Sequence, residues 1–192
     1  MDRQITRRQF LRLNPLDVVK MSKGTEGGAR ALLIRPPGAL KDEEQFLAAC
    51  ERCSRCSEAC PFDVISHLGP AAGAGEGTPY LDPEAVPCHW CADMPCIRAC
   101  PSGALSFNDA GEAEPIAKAE LDLGACLTQQ GILCDDCATV CPSNIRAITM
   151  ENRVPHLNRE RCVGCGLCAY HCAATPTAIR VKDRIRNSSS HS

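Results

Sequence analysis

The spacing of the cysteines constrains this chain more than any other feature. All sixteen cysteines lie between positions 50 and 172, and they fall into four groups of four. The spacings are C-x2-C-x2-C-x3-C-P, C-x2-C-x4-C-x3-C-P, C-x7-C-x2-C-x3-C-P and C-x2-C-x2-C-x3-C, with an alanine in place of the last proline. In chain order the groups are Cys50, Cys53, Cys56 and Cys60; Cys88, Cys91, Cys96 and Cys100; Cys126, Cys134, Cys137 and Cys141; and Cys162, Cys165, Cys168 and Cys172.

Each group has a spacing that suits a cubane iron–sulfur cluster. Two-residue gaps in a tight loop bring successive thiolates to neighbouring iron corners, and a three-residue gap puts the fourth cysteine one helical turn beyond the third. The proline that follows discourages further helix. In two-cluster ferredoxins the fourth cysteine ligates the other cluster. We therefore expect four [4Fe–4S] clusters, with all sixteen cysteines as metal ligands and no catalytic residue.

Two other uses of cysteine are less consistent with this pattern. Zinc sites also use C-x2-C, but they need two such pairs for each ion and have no role for a third and fourth cysteine at these offsets. Disulfide-rich secreted domains are usually much shorter and carry a cleavable signal peptide. The spacing therefore favours iron–sulfur clusters over zinc and over disulfides.

The rest of the composition indicates a protein without a catalytic site of its own. No phosphate-binding or dinucleotide-binding loop follows a predicted strand, and no paired carboxylates or nucleophile constellation stand out. Only 4% of the residues are aromatic, and the formal net charge is −2. We expect neither catalysis nor nucleic-acid binding, and we expect the protein to fold poorly without its clusters.

The chain divides into three predicted regions. Residues 1–37 carry eight basic and three acidic side chains and form a basic arm. Residues 38–182 form the four-cluster domain, and residues 183–192 form a disordered tail. The arm contains T-R-R-Q-F-L at positions 6–11, which looks like the core of a twin-arginine export signal. The apolar stretch that such a signal requires does not follow, so we interpret the arm as a docking or vestigial signal segment.

Short elements are expected around the cysteine groups. We predict a helix over residues 43–50, a strand over 179–181 and a flexible loop over the Gly- and Pro-rich residues 69–79. Small turns with aliphatic residues recur after the cysteine groups and are expected to cover the clusters. This repetition predicts an α+β fold made of two fused bacterial-ferredoxin-like 2[4Fe–4S] modules, with short helices, short strands and many loops.

Two histidines and one tryptophan lie beside the cysteines, and we interpret all three as structural residues. His89 and His171 are next to ligand positions and could tune a cluster or relay a proton, but a lone histidine is more often a packing or surface residue, and we favour that interpretation. We expect Trp90 to keep water away from a cluster.

Several longer motifs point to a known family. They are T-R-R-Q-F-L, I-R-P-P-G-A-L before the first group, G-T-P-Y at 77–80, V-P-C-H-W-C-A-D-M-P-C-I-R-A-C-P-S-G-A-L and C-V-G-C-G-L-C. Together they resemble the polyferredoxins of the NapF/NapG/MauM type, which accompany periplasmic nitrate reductase and methylamine-utilisation systems. The resemblance implies an electron-transfer protein that passes single electrons through four clusters. The implied donor is a membrane quinol-oxidising or ferredoxin-like partner, and the implied acceptor is a terminal oxidoreductase.

The resemblance also implies a nested arrangement of the motifs, which spacing alone does not decide. Motifs 1 and 4 would form one module, and motifs 2 and 3 the other. The fourth cysteines would then be exchanged within these pairs: Cys172 would complete the first set, Cys60 the fourth, Cys141 the second and Cys100 the third.

The sequence allows more than one location and more than one role for the protein. The lack of a full signal points to a cytoplasmic protein at the membrane face, held there through a partner without a transmembrane segment of its own. The alternative is export to the periplasm by the twin-arginine route. The basic arm also allows an accessory or maturation factor that docks a redox enzyme during cofactor assembly. A structural subunit with redox-silent clusters is a third hypothesis.

Overall fold

The computed structural model describes residues 34–183. All but the first residue of the predicted tail and all but the last four residues of the predicted basic arm, including the twin-arginine-like segment, lie outside the described residues. Within residues 34–183, none of the helices has the length and apolar composition needed to cross a bilayer.

Five short α-helices lie in the described part of the chain: α1 Glu43–Ala49, α2 Arg55–Glu58, α3 Pro95–Arg98, α4 Asp136–Thr139 and α5 Leu167–Tyr170. The predicted helix over residues 43–50 corresponds to α1. Its first turn is capped because the Asp42 side chain accepts a hydrogen bond from the backbone N–H of Gln45, and its Phe46 is fully buried. The other four helices are single turns, and each contains the third cysteine of one group.

Six short strands form three antiparallel pairs. They are β1 Ser66–His67 with β2 Pro79–Tyr80, β3 Ala117–Leu121 with β6 Ile179–Asp183, and β4 Ile148–Glu151 with β5 Val154–Leu157. Three 3₁₀ segments complete the regular structure: Pro70–Gly75, Leu123–Ala125 and Leu127–Gln130. The predicted strand over residues 179–181 is the first part of β6. The fold is therefore a mixture of short helices and short strands.

The N-terminal and C-terminal halves of the described chain follow one plan. In the first half a β-bridge pairs Ala39 with Leu105, on either side of two cysteine groups. In the second half β3 and β6 pair in the same way around the other two groups. A hairpin lies between the two groups of each half, β1–β2 in the first and β4–β5 in the second. The repeat inferred from sequence is therefore visible in the topology.

The segment predicted as a flexible loop, residues 69–79, has a defined conformation. It contains the 3₁₀ segment Pro70–Gly75 and the start of β2. The Arg52 guanidinium donates hydrogen bonds to the carbonyls of Ala74 at 3.0 Å and Glu76 at 2.9 Å. These hydrogen bonds tie the segment to the first cysteine group. Its Gly-rich composition did not reveal that the segment is held in this way.

One hydrophobic core runs through both halves, and it contains cysteines as well as aliphatic side chains. The halves also meet through the backbone, because the N–H of Cys88 donates to the carbonyl of Cys165 at 2.8 Å. Gly166 lies at this junction with a φ of +89°. A Cβ at Gly166 would lie 2.4 Å from the carbonyl oxygen of Pro83, so only glycine allows this approach of the two halves.

Candidate metal centres

The sixteen cysteines come together in four sets, and each set lines a cavity. Site A contains Cys50, Cys53, Cys56 and Cys100; site B contains Cys60, Cys88, Cys91 and Cys96; site C contains Cys141, Cys162, Cys165 and Cys168; and site D contains Cys126, Cys134, Cys137 and Cys172. Four cavities, each with four thiols in its wall, suit four occupants of the same kind.

The single-turn helices explain how each site is assembled. In every group the third cysteine lies on the helix and is buried, and the fourth follows the helix end. Helix α2 packs against α3, and α4 packs against α5. The fourth cysteine of each group therefore points away from its own site and into the site of the neighbouring helix. Each site takes three cysteines from one group and one from the group paired with it.

This arrangement corrects the nested pairing. The nested scheme placed Cys172 with the first group and Cys60 with the fourth, but the structure places Cys172 in site D and Cys60 in site B. Likewise Cys100 completes site A, and Cys141 completes site C. The physical reason is the packing of α2 on α3 and of α4 on α5, which brings together groups that are adjacent in sequence. Motifs 1 and 2 share one half, and motifs 3 and 4 share the other.

Burial disfavours the charged form of seven of these thiols. The pKa of Cys88 is raised to about 12, chiefly by desolvation and also by charge repulsion from neighbouring Cys165, Cys96 and Cys91. Burial also raises the pKa of Cys96 to about 12, and there Cys60 of the same site is the largest repulsive neighbour. Four thiolates around one cavity therefore need a positively charged occupant.

The buried thiols at the other sites behave in the same way. The pKa values of Cys56, Cys137 and Cys165 are raised to about 11, chiefly by desolvation and also by repulsion from other cysteines of the same site. The pKa of Cys172 lies below its ordinary value. Burial pushes it upward, but hydrogen bonds from the Thr177 side chain and nearby backbone N–H groups outweigh this effect.

Backbone N–H groups point at several of the sulfurs. The N–H of Trp90 donates to Cys88 Sγ at 3.5 Å, Leu105 to Cys100 at 3.4 Å, Ala119 to Cys162 at 3.4 Å, Ala147 to Cys141 at 3.2 Å and Ala178 to Cys172 at 3.4 Å. Three of these bonds reach the fourth cysteine of a group from the residue five or six positions later. Such donors stabilise negative charge on sulfur, which is what a thiolate ligand carries.

The walls between the cysteines are mostly apolar. Val64, Ile65 and Leu81 line site B, where an apolar cap after Cys60 was expected. Leu105, Ile148 and Ile179 line sites A, C and D respectively, and each follows a cysteine group as the repeated turns predicted. Apolar walls keep water from the cavities.

Trp90, His89 and His171 adjoin cysteines in the sequence and differ in their exposure. Trp90 is only 5% exposed. His89 is exposed and stacks on Phe62, with ring centroids 3.6 Å apart and an interplanar angle of 5°. His171 meets Tyr170 edge-on. Both histidines are therefore exposed and have aromatic neighbours, and His89 also lines site B.

His67 was not predicted from the sequence as a residue of a site. It lies on β1 and lines site A with the four cysteines. Its Nε2 atom is buried and has no hydrogen-bond partner among residues 34–183. The repeated Pro-x-Leu of G-T-P-Y-L and V-P-H-L is the sequence signal that could have located the hairpin containing it.

The contacts between sites give them a linear order. Sites A and B share the first and second cysteine groups, and sites C and D share the third and fourth. Sites B and C adjoin at the hydrogen bond between Cys88 and Cys165. The order is therefore A, B, C and D, with sites A and D at the two ends.

The chemistry of the donor set fits an iron–sulfur cube at each site. All sixteen cysteines are free thiols, and each set surrounds a cavity rather than a point. Within residues 34–183, no three His, Cys, Asp or Glu side chains are placed to hold a single metal ion. A cube needs one thiolate at each of four iron corners, and the apolar walls and N–H donors support such a group.

Comparisons with known proteins agree with this chemistry. A family model described as a 4Fe-4S dicluster domain matches residues 49–104 and 87–145, and a second model with the same description matches residues 118–173. The matches to residues 49–104 and 118–173 each cover the two cysteine groups that the structure pairs.

Named relatives extend the similarity over most of the chain. The methylamine utilization ferredoxin-type protein MauM of Methylobacillus flagellatus is 38% identical over 164 residues, covering 80% of this chain and 70% of the relative. The ferredoxin-type protein NapG of Escherichia coli is 36% identical over 204 residues, covering 91% and 84%. The ferredoxin-type protein NapF of Escherichia coli is 33% identical over 143 residues, covering 72% and 79%.

Proposed function

Because this chain belongs to the family of ferredoxin-type iron–sulfur proteins that includes MauM, NapG and NapF, we propose that it is an electron carrier with four [4Fe–4S] clusters and no substrate chemistry of its own. The observation that carries the proposal is the presence of four cavities, each lined by four cysteines. Such a cluster takes up and releases one electron at a time.

The proposed ligands are the four cysteines of each site. Three come from one group, and the fourth comes from the partner group in the same half. Each half is thus a bacterial-ferredoxin-like module for two clusters, and the chain is a fusion of two such modules. The interlocking of the groups makes the clusters part of the scaffold, because each cluster would cross-link two segments of the chain.

The order of the sites supports transfer along the length of the protein. The thiols of site C are all buried except Cys141, which is partly exposed, whereas Cys53 of site A is exposed. Sites B and C lie on either side of the junction between the halves. Sites A and D at the ends are therefore the proposed points of electron entry and exit.

The two ends differ in surface chemistry. At site D, Ile132 and Leu133 precede Cys134 and are 49% and 72% exposed. Residues 119–145 contain four acidic side chains and no Lys or Arg. At site A, both acidic and basic side chains are exposed around Cys53, namely Glu51, Arg52, Arg55 and Glu58. Different surfaces at the two ends support two different partners.

The proposed partners are a membrane quinol-oxidising or ferredoxin-like electron donor and a terminal oxidoreductase. The names of the MauM relatives place them in methylamine utilization, and the family resemblance supports a role between two redox proteins. We further propose a position at the cytoplasmic face of the membrane through a partner, with the periplasm as the alternative. The twin-arginine-like segment bears on this choice and lies outside the described residues.

A redox titration followed by electron paramagnetic resonance tests the proposed function. Anaerobically purified protein is poised at a series of potentials, and the reduced-cluster signals are integrated. The proposal predicts four one-electron couples per chain. Clusters that never reduce would instead favour a structural role, and a preparation without iron–sulfur signals would refute the proposal.

A further inference from the structure

His67 is placed as part of the wall of site A. It is the second residue of β1 and pairs with Pro79 of β2. Both residues line the cavity together with Cys50, Cys53, Cys56 and Cys100. Within residues 34–183, Nε2 of His67 is the one buried side-chain nitrogen or oxygen that lacks a hydrogen-bond partner. Leaving such an atom unsatisfied is costly, so the site calls for a partner.

Polar neighbours in the same wall already have partners. The Arg52 guanidinium donates to the carbonyls of Cys50, Ala74 and Glu76. The hydroxyl of Ser102 lies 3.7 Å from Cys100 Sγ. Two other acceptors line the cavity, but Glu51 is exposed to solvent and Ser54 is partly exposed. The cysteine sulfurs and the group that they hold carry negative charge at the cavity itself. An imidazole N–H is a suitable donor to such an acceptor.

We propose that His67 donates a hydrogen bond from Nε2 to the sulfur atoms of the cluster at site A and thereby raises the reduction potential of that site. The inference rests on the proposed function. Reduction adds negative charge to the cluster, so a donor to sulfur stabilises the reduced form more than the oxidised form. His67 is a tuning residue, since it acts on the potential and is not a ligand.

The second half of the protein offers a matched comparison. In its hairpin Met150 pairs with Pro155, as His67 pairs with Pro79 in the first half. Pro155 lines site D as Pro79 lines site A. Met150 therefore occupies the register position of His67, and a thioether has no proton to donate. The two end sites thus differ in this donor.

The variant His67→Met tests the proposal with a side chain that the same position already carries in the other half. His67→Gln retains an N–H donor, and His156→Met replaces an exposed histidine on β5 as the control. We expect His67→Met to lower one of the four midpoint potentials while the other three stay unchanged. The expected effect is about tenfold in the equilibrium constant for reduction, or about 59 mV for one electron. His67→Gln should recover part of the shift.

A spectroscopic measurement distinguishes an effect of His67 on the reduction potential of site A from a general loss of structure. In protein labelled with ¹⁵N-histidine, electron–nuclear double resonance on the reduced clusters should show a nitrogen coupling that His67→Met abolishes and His156→Met retains. Iron and sulfide are measured on every sample. Wild-type protein without clusters would refute the proposed function, whereas fully loaded His67→Met with unchanged potentials and an unchanged nitrogen coupling would refute only this inference.

Discussion

The substitution Gly166→Ala tests the junction between the two halves. Gly166 follows Cys165 of site C, and Cys165 accepts the hydrogen bond from the N–H of Cys88 in site B. An added Cβ would lie 2.4 Å from the carbonyl oxygen of Pro83 and 2.7 Å from its Cβ. Comfortable contacts between heavy atoms begin near about 3.5 Å, so the two halves would have to move apart by roughly 1 Å.

The cost of this substitution has two parts. Placing a Cβ at a positive φ costs about 1–2 kcal/mol, and forcing the overpacked contact costs about 1–3 kcal/mol more. Gly111→Ala is the matched control because Gly111 has a φ of +75° and no atom within 4 Å of the added Cβ. It should show the first cost without the second. A difference of about 2 kcal/mol corresponds to roughly 4–8 °C in Tm for a chain of this length.

The assay is anaerobic thermal unfolding of the cluster-loaded proteins at one heating rate, followed by circular dichroism and by the visible absorbance of the clusters. Dipolar broadening between reduced clusters gives a second readout, because a wider junction separates sites B and C. Gly166→Ala should unfold below Gly111→Ala and show weaker broadening. Equal Tm values and equal spectra would refute the assignment of this junction.

Three further outcomes are expected. Cys172→Ala should damage only the cluster held by Cys126, Cys134 and Cys137, as judged by electron paramagnetic resonance, whereas damage to the cluster of the first group would restore the nested pairing. Leu133→Ser should slow reduction of the basic probe cytochrome c by reduced protein at every salt concentration, because docking at site D loses an apolar contact that is 72% exposed. Val86→Ser, at an apolar side chain that is 49% exposed and precedes the second cysteine group, should have little effect, and the reverse result would place the exit of electrons near the second group. Removal of iron by a chelator under anaerobic conditions should abolish most of the circular dichroism of the folded protein, since the clusters cross-link the core, and an apo-protein that keeps its native spectrum would contradict this.

The sequence predicted which three cysteines of each group lie together, but not which group supplies the fourth cysteine of each site. Gaps of two and three residues determine which thiols share a local loop and which one lies a turn further on, so the first three ligands of each site were visible from spacing. The site to which Cys60 or Cys172 contributes depends on which single-turn helices pack together. That is a tertiary contact, and spacing leaves it open. The resemblance to known polyferredoxins led to the nested scheme, which the packing of α2 on α3 corrects.

His67 shows a second limit of reasoning from sequence. Its neighbours Ser66 and Leu68 give no sign of a metal site, and it lies seven residues beyond the nearest cysteine. Its place in the wall of site A follows from the pairing of β1 with β2, strands of two residues each. Such short strands carry too little periodicity to be predicted. His89 and His171, which adjoin cysteines in sequence, are surface residues in the structure.

If sixteen thiolates hold four iron–sulfur cubes, the iron and sulfide content of the purified protein must match that number. Protein purified without oxygen should contain about sixteen iron atoms and about sixteen acid-labile sulfides per chain, four of each at every site. A well-folded preparation that contains zinc or disulfide bonds in place of iron would contradict the account.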